Sequence, residues 1–195
     1  PTLTIIIVEH RFRPFAELVD SVILLNSHGE LAFQGDLNEY LAFTKAQSQL
    51  YLRDSENSHI YHPSTQFNRL SPSEFSNVSP LMELQHVSFR YPNVEKWVLE
   101  NFSLQIYPGE FLGIVGDNGS GKTTLLYLLA HMLDPDQGNL YFQGMPYQKL
   151  DLHRFIPRIG FIFQNPENQL FEKTLEEEIL YAIDNFTLLK QKQAD

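Results

Sequence analysis

Gly116-Asp117-Asn118-Gly119-Ser120-Gly121-Lys122-Thr123 brings glycines, a lysine and a hydroxyl together in the G-x-x-x-x-G-K-[ST] spacing. The glycines let the backbone curl into a concave ring of N–H donors, and a following helix adds the partial positive charge of its N-terminus. Lys122 offers a point charge to β- and γ-phosphates, and the Thr123 hydroxyl offers an oxygen to Mg²⁺. The chemistry this spacing implies is binding of a nucleoside triphosphate. Gly116, Asn118, Gly119, Ser120, Gly121, Lys122, Thr123 and Thr124 are the candidate binding residues.

Such a loop works only when a strand feeds it and a helix leaves it. Glu110-Phe-Leu-Gly-Ile-Val115 is a short apolar run that reads as a buried strand. Thr123–Leu133 is apolar at helical spacing. Further along, Pro135-Asp136-Gln137-Gly138 reads as a turn before a strand at Asn139–Phe142, and Ile159–Phe163 as another buried strand. Thr174-Leu-Glu-Glu177 has the form of a capping box opening a helix to about Ile183. Ahead of the loop, Glu83–Tyr91 alternates in part and Phe102–Ile106 cleanly, so both predict strands.

The first part of the chain is organised separately. Thr4–Val8 and Ser21–Leu25 read as strands, with a short helical stretch at Phe15–Val19 between them. The turn Asn26-Ser-His-Gly29 leads to Glu30–Gln34, and Asp36-x-x-Glu39 predicts a capped helix over Leu37–Phe43. Residues 44–80 are rich in Ser, Asn, Gln and Pro, the composition of a linker. The domain reading is therefore 1–43, a linker over 44–80, and a second globular segment from Leu81 to Asp195. His59 and His62 in the linker have a spacing that could grip a metal, but no further ligand lies near them.

Composition limits the partners. With 195 residues, 43% hydrophobic and 19% charged, the chain has enough apolar side chains for a core. A net charge of −10 argues against nucleic acid bound through a basic surface. There is no cysteine for a disulfide or a thiolate metal site, which fits a reducing compartment. No apolar run approaches the roughly 18 residues a membrane helix needs.

From Leu81 onward the residues resemble the N-terminal half of an ATP-binding cassette (ABC) transporter ATPase. Tyr91 stands ahead of the loop where that family places an aromatic against adenine. Pro108-Gly109-Glu110 precedes the loop strand, and Gln164 matches the glutamine loop. Gln164-Asn-Pro-Glu-Asn-Gln-Leu-Phe171 is most similar to the ATPases of energy-coupling-factor importers of cobalt, nickel and vitamins. Residues 1–43 resemble the opposite end of the same kind of domain. Ile6-Ile-Val-Glu-His10-Arg11, Ala16–Asp20 and Val22–Gly29 look like the switch-histidine strand and the segment after it. The chain, opening on Pro1, thus reads as the tail of one ATPase domain, a linker and the front of a second.

The resemblance implies an α/β phosphate-loop NTPase fold, a RecA-like core with an antiparallel β subdomain, here incomplete. It implies ATP and Mg²⁺ as ligands, with Tyr91 on the base, Lys122 and the backbone N–H groups of Gly119, Gly121 and Thr124 on the phosphates, and Thr123 and Gln164 on Mg²⁺. Gln164 and His10 take the catalytic roles, His10 by polarising the γ-phosphate; from the residues alone, His10 reads equally as a hydrogen-bonded strand end. The implied partners are a second ABC ATPase domain and a transmembrane transporter subunit, with the chain peripheral on the cytoplasmic face of the membrane and no nucleic acid. Residues 1–195 contain no LSGGQ-like signature and no apolar strand ending in Asp with a catalytic Glu, so the piece is expected to bind ATP without hydrolysing it. A soluble cassette ATPase acting on ribosomes or DNA, a phosphate-loop kinase and an inactive fragment are the competing readings. If the two pieces fold together, Thr4–Val8 is expected to dock beside Phe111–Val115, since an open apolar strand edge is costly and sticky.

Overall fold

In the computed structural model, the residues described are 3–8, 18–46, 78–162, 174, 176, 177 and 180. The chain divides into two compact units, residues 1–147 and 148–195. The first contains strands from before residue 47 and after residue 77, arranged as two four-stranded sheets.

One sheet has the order β1-β6-β2-β3, with β1 at Ile5–Val8, β2 at Ser21–Leu25, β3 at Leu31–Gly35 and β6 at Phe111–Gly116. The loop strand β6 lies in its interior. It pairs in parallel with β1, from Ile5 opposite Phe111 to Val8 opposite Ile114. On its other side it pairs in parallel with β2, from Ser21 opposite Leu112 to Leu25 opposite Gly116. The expected docking of Thr4–Val8 beside Phe111–Val115 is therefore present as a ladder. Its physical reason is visible in burial: β2 and β6 are buried on both faces, as continuous apolar strands of a parallel sheet must be. Val22, Ile23 and Leu25 have no exposed surface. Each such side chain contributes about 1.5–3 kcal/mol through burial.

The core on one face of this sheet joins Val19, Val22, Leu24 and Tyr40 from the first segment to the distant Val115, flanked by Ile7, Phe33, Phe43 and Phe111. Helix α1, Leu37–Ala46, supplies Tyr40 and Phe43, whose rings are positioned by Phe33 at centroid distances of 5.6 and 5.0 Å. The predicted capping box opens this helix: Glu39 N–H donates to Asp36 Oδ1 at 2.9 Å, and Asp36 N–H donates to Glu39 Oε2 at 2.9 Å. The helix runs three residues beyond the predicted Phe43, as far as the apolar spacing alone could not specify.

The second sheet is antiparallel, with the order β5-β4-β7-β8. Its strands are β4 at Met82–Phe89, β5 at Leu99–Ile106, β7 at Gln137–Phe142 and β8 at Met145–Pro146. Phe102, Leu104 and Ile106 point inward while Ser103 and Gln105 face out, the alternation read from the sequence. In β4 the alternation breaks because the strand is bulged: the register shifts between Leu84 and Val87, and His86 has φ 51°. Side chains take over from the broken ladder. His86 N–H donates to Ser103 Oγ at 3.0 Å and Asn101 N–H to Ser88 Oγ at 2.9 Å.

Helix α2, Lys122–Leu129, follows the loop and ends four residues before the predicted Leu133. His131 adopts φ 56°, and the His131 and Met132 N–H groups turn back to Leu128 O and Tyr127 O, closing the helix. In the second unit, helix α3 at Leu152–Phe155 is capped by Asp151 and runs into a short 3-10 turn at Ile156–Arg158. Ile159–Ile162 is not a strand: these residues are irregular and Ile162 is 84% exposed. An apolar run becomes a buried strand only beside a ladder partner, and none pairs with it among the described residues. At Thr174 the N-cap half of the expected box is present, with Glu177 N–H donating to Thr174 Oγ1 at 3.2 Å, while the Glu177 carboxylate accepts from the Thr174 hydroxyl at 2.9 Å.

Candidate nucleotide site

The loop is delivered by β6 and withdrawn by α2, so its geometry follows from those two elements. Gly121 caps α2 in the left-handed region at φ 92°, and no side chain caps the helix. The first-turn N–H groups are thus left without a side-chain acceptor, the arrangement that suits phosphate oxygens. Asn118 and Gly119 form the exposed tip, and a Cβ placed on Gly119 would meet nothing within 4 Å. Ser120 and Thr124 are buried at the base, whereas Thr123 is exposed.

Lys122 is only 6% exposed and folds back over the loop. Its Nζ donates to Gly116 O at 2.9 Å, to Asp117 O at 2.6 Å and more distantly to Ser120 Oγ at 3.5 Å. Burial pushes the amine below the usual lysine range, while the neighbouring Asp117 carboxylate pulls the other way. An ammonium already stripped of water and held at the centre of the loop gains strongly from an incoming polyanion.

Tyr91, at the end of β4, stands beside the helix that carries the loop. Its hydroxyl lies 3.2 Å from Thr124 Oγ1, and Phe89 meets its ring edge-on at 5.1 Å. Tyr91 as a whole is 38% exposed. It opens on a pocket with Arg90, Asn93, Glu95 and Asp136. Arg90 is steadied from two sides: its guanidinium lies 4.7 Å from the Trp97 ring and its backbone N–H donates to Asp136 Oδ2 at 2.9 Å. The structure therefore gathers Tyr91 and the eight loop residues Gly116, Asn118, Gly119, Ser120, Gly121, Lys122, Thr123 and Thr124 around one helix end. His10 and Gln164 lie outside the described residues. Among the described residues no group of three His, Asp or Glu side chains could hold a metal, and no helix is long and apolar enough to cross a membrane.

The model of the ABC transporter family matches residues 99–195, from β5 through the loop to the last residue. The chain belongs to the ABC transporter family. A Methanosarcina acetivorans protein described as an ABC transporter ATP-binding protein is 32% identical over 182 residues, which is 93% of this chain and 32% of that protein. Two energy-coupling factor transporter ATP-binding proteins are similar over 54% of the chain. That of Mycoplasmopsis synoviae is 41% identical and covered over 40% of its length; that of Oceanobacillus iheyensis is 37% identical and covered over 38%. The chain thus has a phosphate-loop NTPase fold, and it spans between 32% and 40% of the length of these relatives.

Residues around the loop that sequence reasoning did not single out hold β6 to the first segment. Glu110, 5% exposed, accepts a short hydrogen bond from Ser21 Oγ and one from Tyr107 N–H at 2.7 Å. Burial pushes its carboxyl up, the two hydrogen bonds pull it down, and nearby Asp20 pushes it up again, for a net upward shift. Asp20 accepts from Phe111 N–H at 2.8 Å, and Thr4 Oγ1 accepts from Gly109 N–H at 2.8 Å. Acidic residues flanking strand starts were the available signal, but which backbone N–H each would meet depends on the pairing of β2 with β6, far apart in the chain.

Proposed function

We propose that this chain supplies an ATP–Mg²⁺ binding surface to a tandem ABC ATPase that powers uptake of a metal ion or vitamin through a membrane subunit. The observation that carries the reading is the uncapped helix α2 with Lys122 desolvated among loop carbonyls. Tyr91 takes the base; Lys122 and the N–H groups of Gly119, Gly121 and Thr124 take the phosphates. Thr123 and Gln164 would hold Mg²⁺, which when bound neutralises phosphate charge. Phosphoryl transfer asks chiefly for positioning and charge stabilisation, which a rigid loop provides. Strand β1 runs parallel to β6, so it ends on the loop side of its sheet, and His10 comes two residues after it. That supports a role for His10 toward the γ-phosphate.

Residues 1–43 belong, on this reading, to the end of a first ATPase domain, 44–80 to the linker and 81–195 to the front of a second. A match over 93% of the chain to one relative supports the continuous order of these pieces. The partners are a second ATPase domain and a transmembrane subunit, the names of the energy-coupling factor relatives pointing to transport, and the location is the cytoplasmic membrane face. Taken alone, the chain holds ATP without turning it over, since the signature and catalytic Glu are not among its residues. Isothermal calorimetry tests the central claim: ATP–Mg²⁺ binds wild type, and Lys122→Ala weakens binding at least about ten-fold by removing the charge at the loop centre. Equal affinities of the two proteins would overturn it.

A further inference from the structure

The carbonyl of Val98 is wedged between two glycines that lie on opposite sides of the linker. A Cβ built on Gly29 would overlap the Val98 carbonyl oxygen and come within 2.7 Å of its carbon. A Cβ built on Gly121, the cap of α2, would come within 2.9 Å of the same oxygen and 3.0 Å of Leu99 Cδ2. The start of the loop is also approached from before the linker, since a Cβ on Gly116 would lie 2.5 Å from Leu25 O. Backbone is therefore packed on backbone from the β2–β3 turn, through Val98, to the cap of the helix that would face phosphate.

The turn that makes this approach is built firmly. Asn26 Oδ1 accepts from His28 N–H at 2.9 Å and Glu30 N–H at 3.0 Å, and Gly29 N–H donates to Asn26 O at 3.1 Å. Gly29 itself is buried at φ 74°, where only glycine both fits the space and accepts the conformation readily. Backbone against backbone cannot yield by rotating a side chain, so a shift at Gly29 must move Val98, and Val98 must move Gly121.

We infer that Gly29 and its turn are a positioning element for the phosphate loop, setting the N-terminus of α2 for nucleotide from the far side of the linker. The inference rests on the nucleotide reading above and adds to it that phosphate affinity is controlled by residues before the linker. Gly29 touches no nucleotide; it acts through Val98 and Gly121.

The test measures ATP–Mg²⁺ and adenosine binding by the full chain, at a temperature where urea titrations show every variant folded. Lys122→Ala checks the nucleotide reading separately: its equality with wild type would sink that reading whatever Gly29 does. Gly144→Ala is the matched control, because Gly144 has a similar φ of 76° but open space around its Cβ. It is expected to lose stability and keep wild-type ATP affinity. Gly29→Ala is expected to weaken ATP at least about ten-fold while leaving adenosine binding within about two-fold, since only the phosphates meet α2. Should Gly29→Ala fail to fold, Asn26→Ala, which loosens the same turn without a clash, decides the question with the same two ligands. Wild-type ATP affinity in the folded turn variant overturns the inference, as does an equal loss for ATP and adenosine.

Discussion

Replacing Glu110 tests whether the loop strand is truly held by a buried carboxylate. Glu110 accepts from Ser21 Oγ and Tyr107 N–H in a site where it is 5% exposed. In Glu110→Ala both donors lose a charged acceptor, each worth about 1.5–3 kcal/mol, while the cost of the buried charge disappears. The net loss is expected at about 2–4 kcal/mol. Glu110→Gln keeps the shape: its amide oxygen can accept from Tyr107 N–H and its amide nitrogen can donate to Ser21 Oγ. That variant should lie within about 1 kcal/mol of wild type.

The pH dependence separates packing from charge. Because the carboxyl is raised above the usual 4.5, wild type keeps its full stability contribution from this group below that value. The contribution is lost as pH rises through the raised folded value, when a charge must be buried beside Asp20. Glu110→Gln has no such loss, so its stability relative to wild type should climb as pH rises above 4.5 and level off once pH has passed the raised folded value. Urea unfolding of the three proteins across this range reads the effect directly, through midpoints at constant slope. A gap between wild type and Glu110→Gln that does not change with pH would refute the claim that burial outweighs the hydrogen bonds at this carboxyl.

Tyr91→Ala removes the ring beside α2 and should cost about 1–3 kcal/mol of ATP affinity by calorimetry, with tripolyphosphate binding unchanged. An equal loss for both ligands would mean that Tyr91 supports the loop rather than the base. In turnover assays the purified chain is expected to release phosphate no faster than Lys122→Ala, and faster release from wild type would show that its residues complete a hydrolytic site.

Much of this molecule is legible in the residues because the signals are local. The loop Gly116–Thr123, its apolar feeding strand and the helix after it are contiguous, and each depends on backbone freedom, side-chain chemistry or periodicity within a few residues. The capping box at Asp36 is equally short-ranged and forms, and Thr174 accepts from Glu177 N–H as an N-cap should. Element ends were less legible. Helix α2 stops at Leu129 rather than Leu133 because His131 turns left-handed, a choice that apolar spacing does not encode. Ile159–Ile162 is as apolar as a strand yet is not one, since a strand is a property of two segments and a single run states only half of it.

Tertiary structure alone decided which strands flank β6, what Glu110 and Asp20 hold, and that Gly29 lies under Val98. Those facts join residues on either side of residues 47–77, where sequence distance carries no geometric information. The acids at the strand starts and the glycine in a turn look ordinary in the chain; only the ladder between β2 and β6 brings them to the backbone groups they meet. Local chemistry by itself determined that the protein has a phosphate loop. What positions that loop is set by burial of apolar strands from two distant segments against one another, a free energy that exists only once they touch.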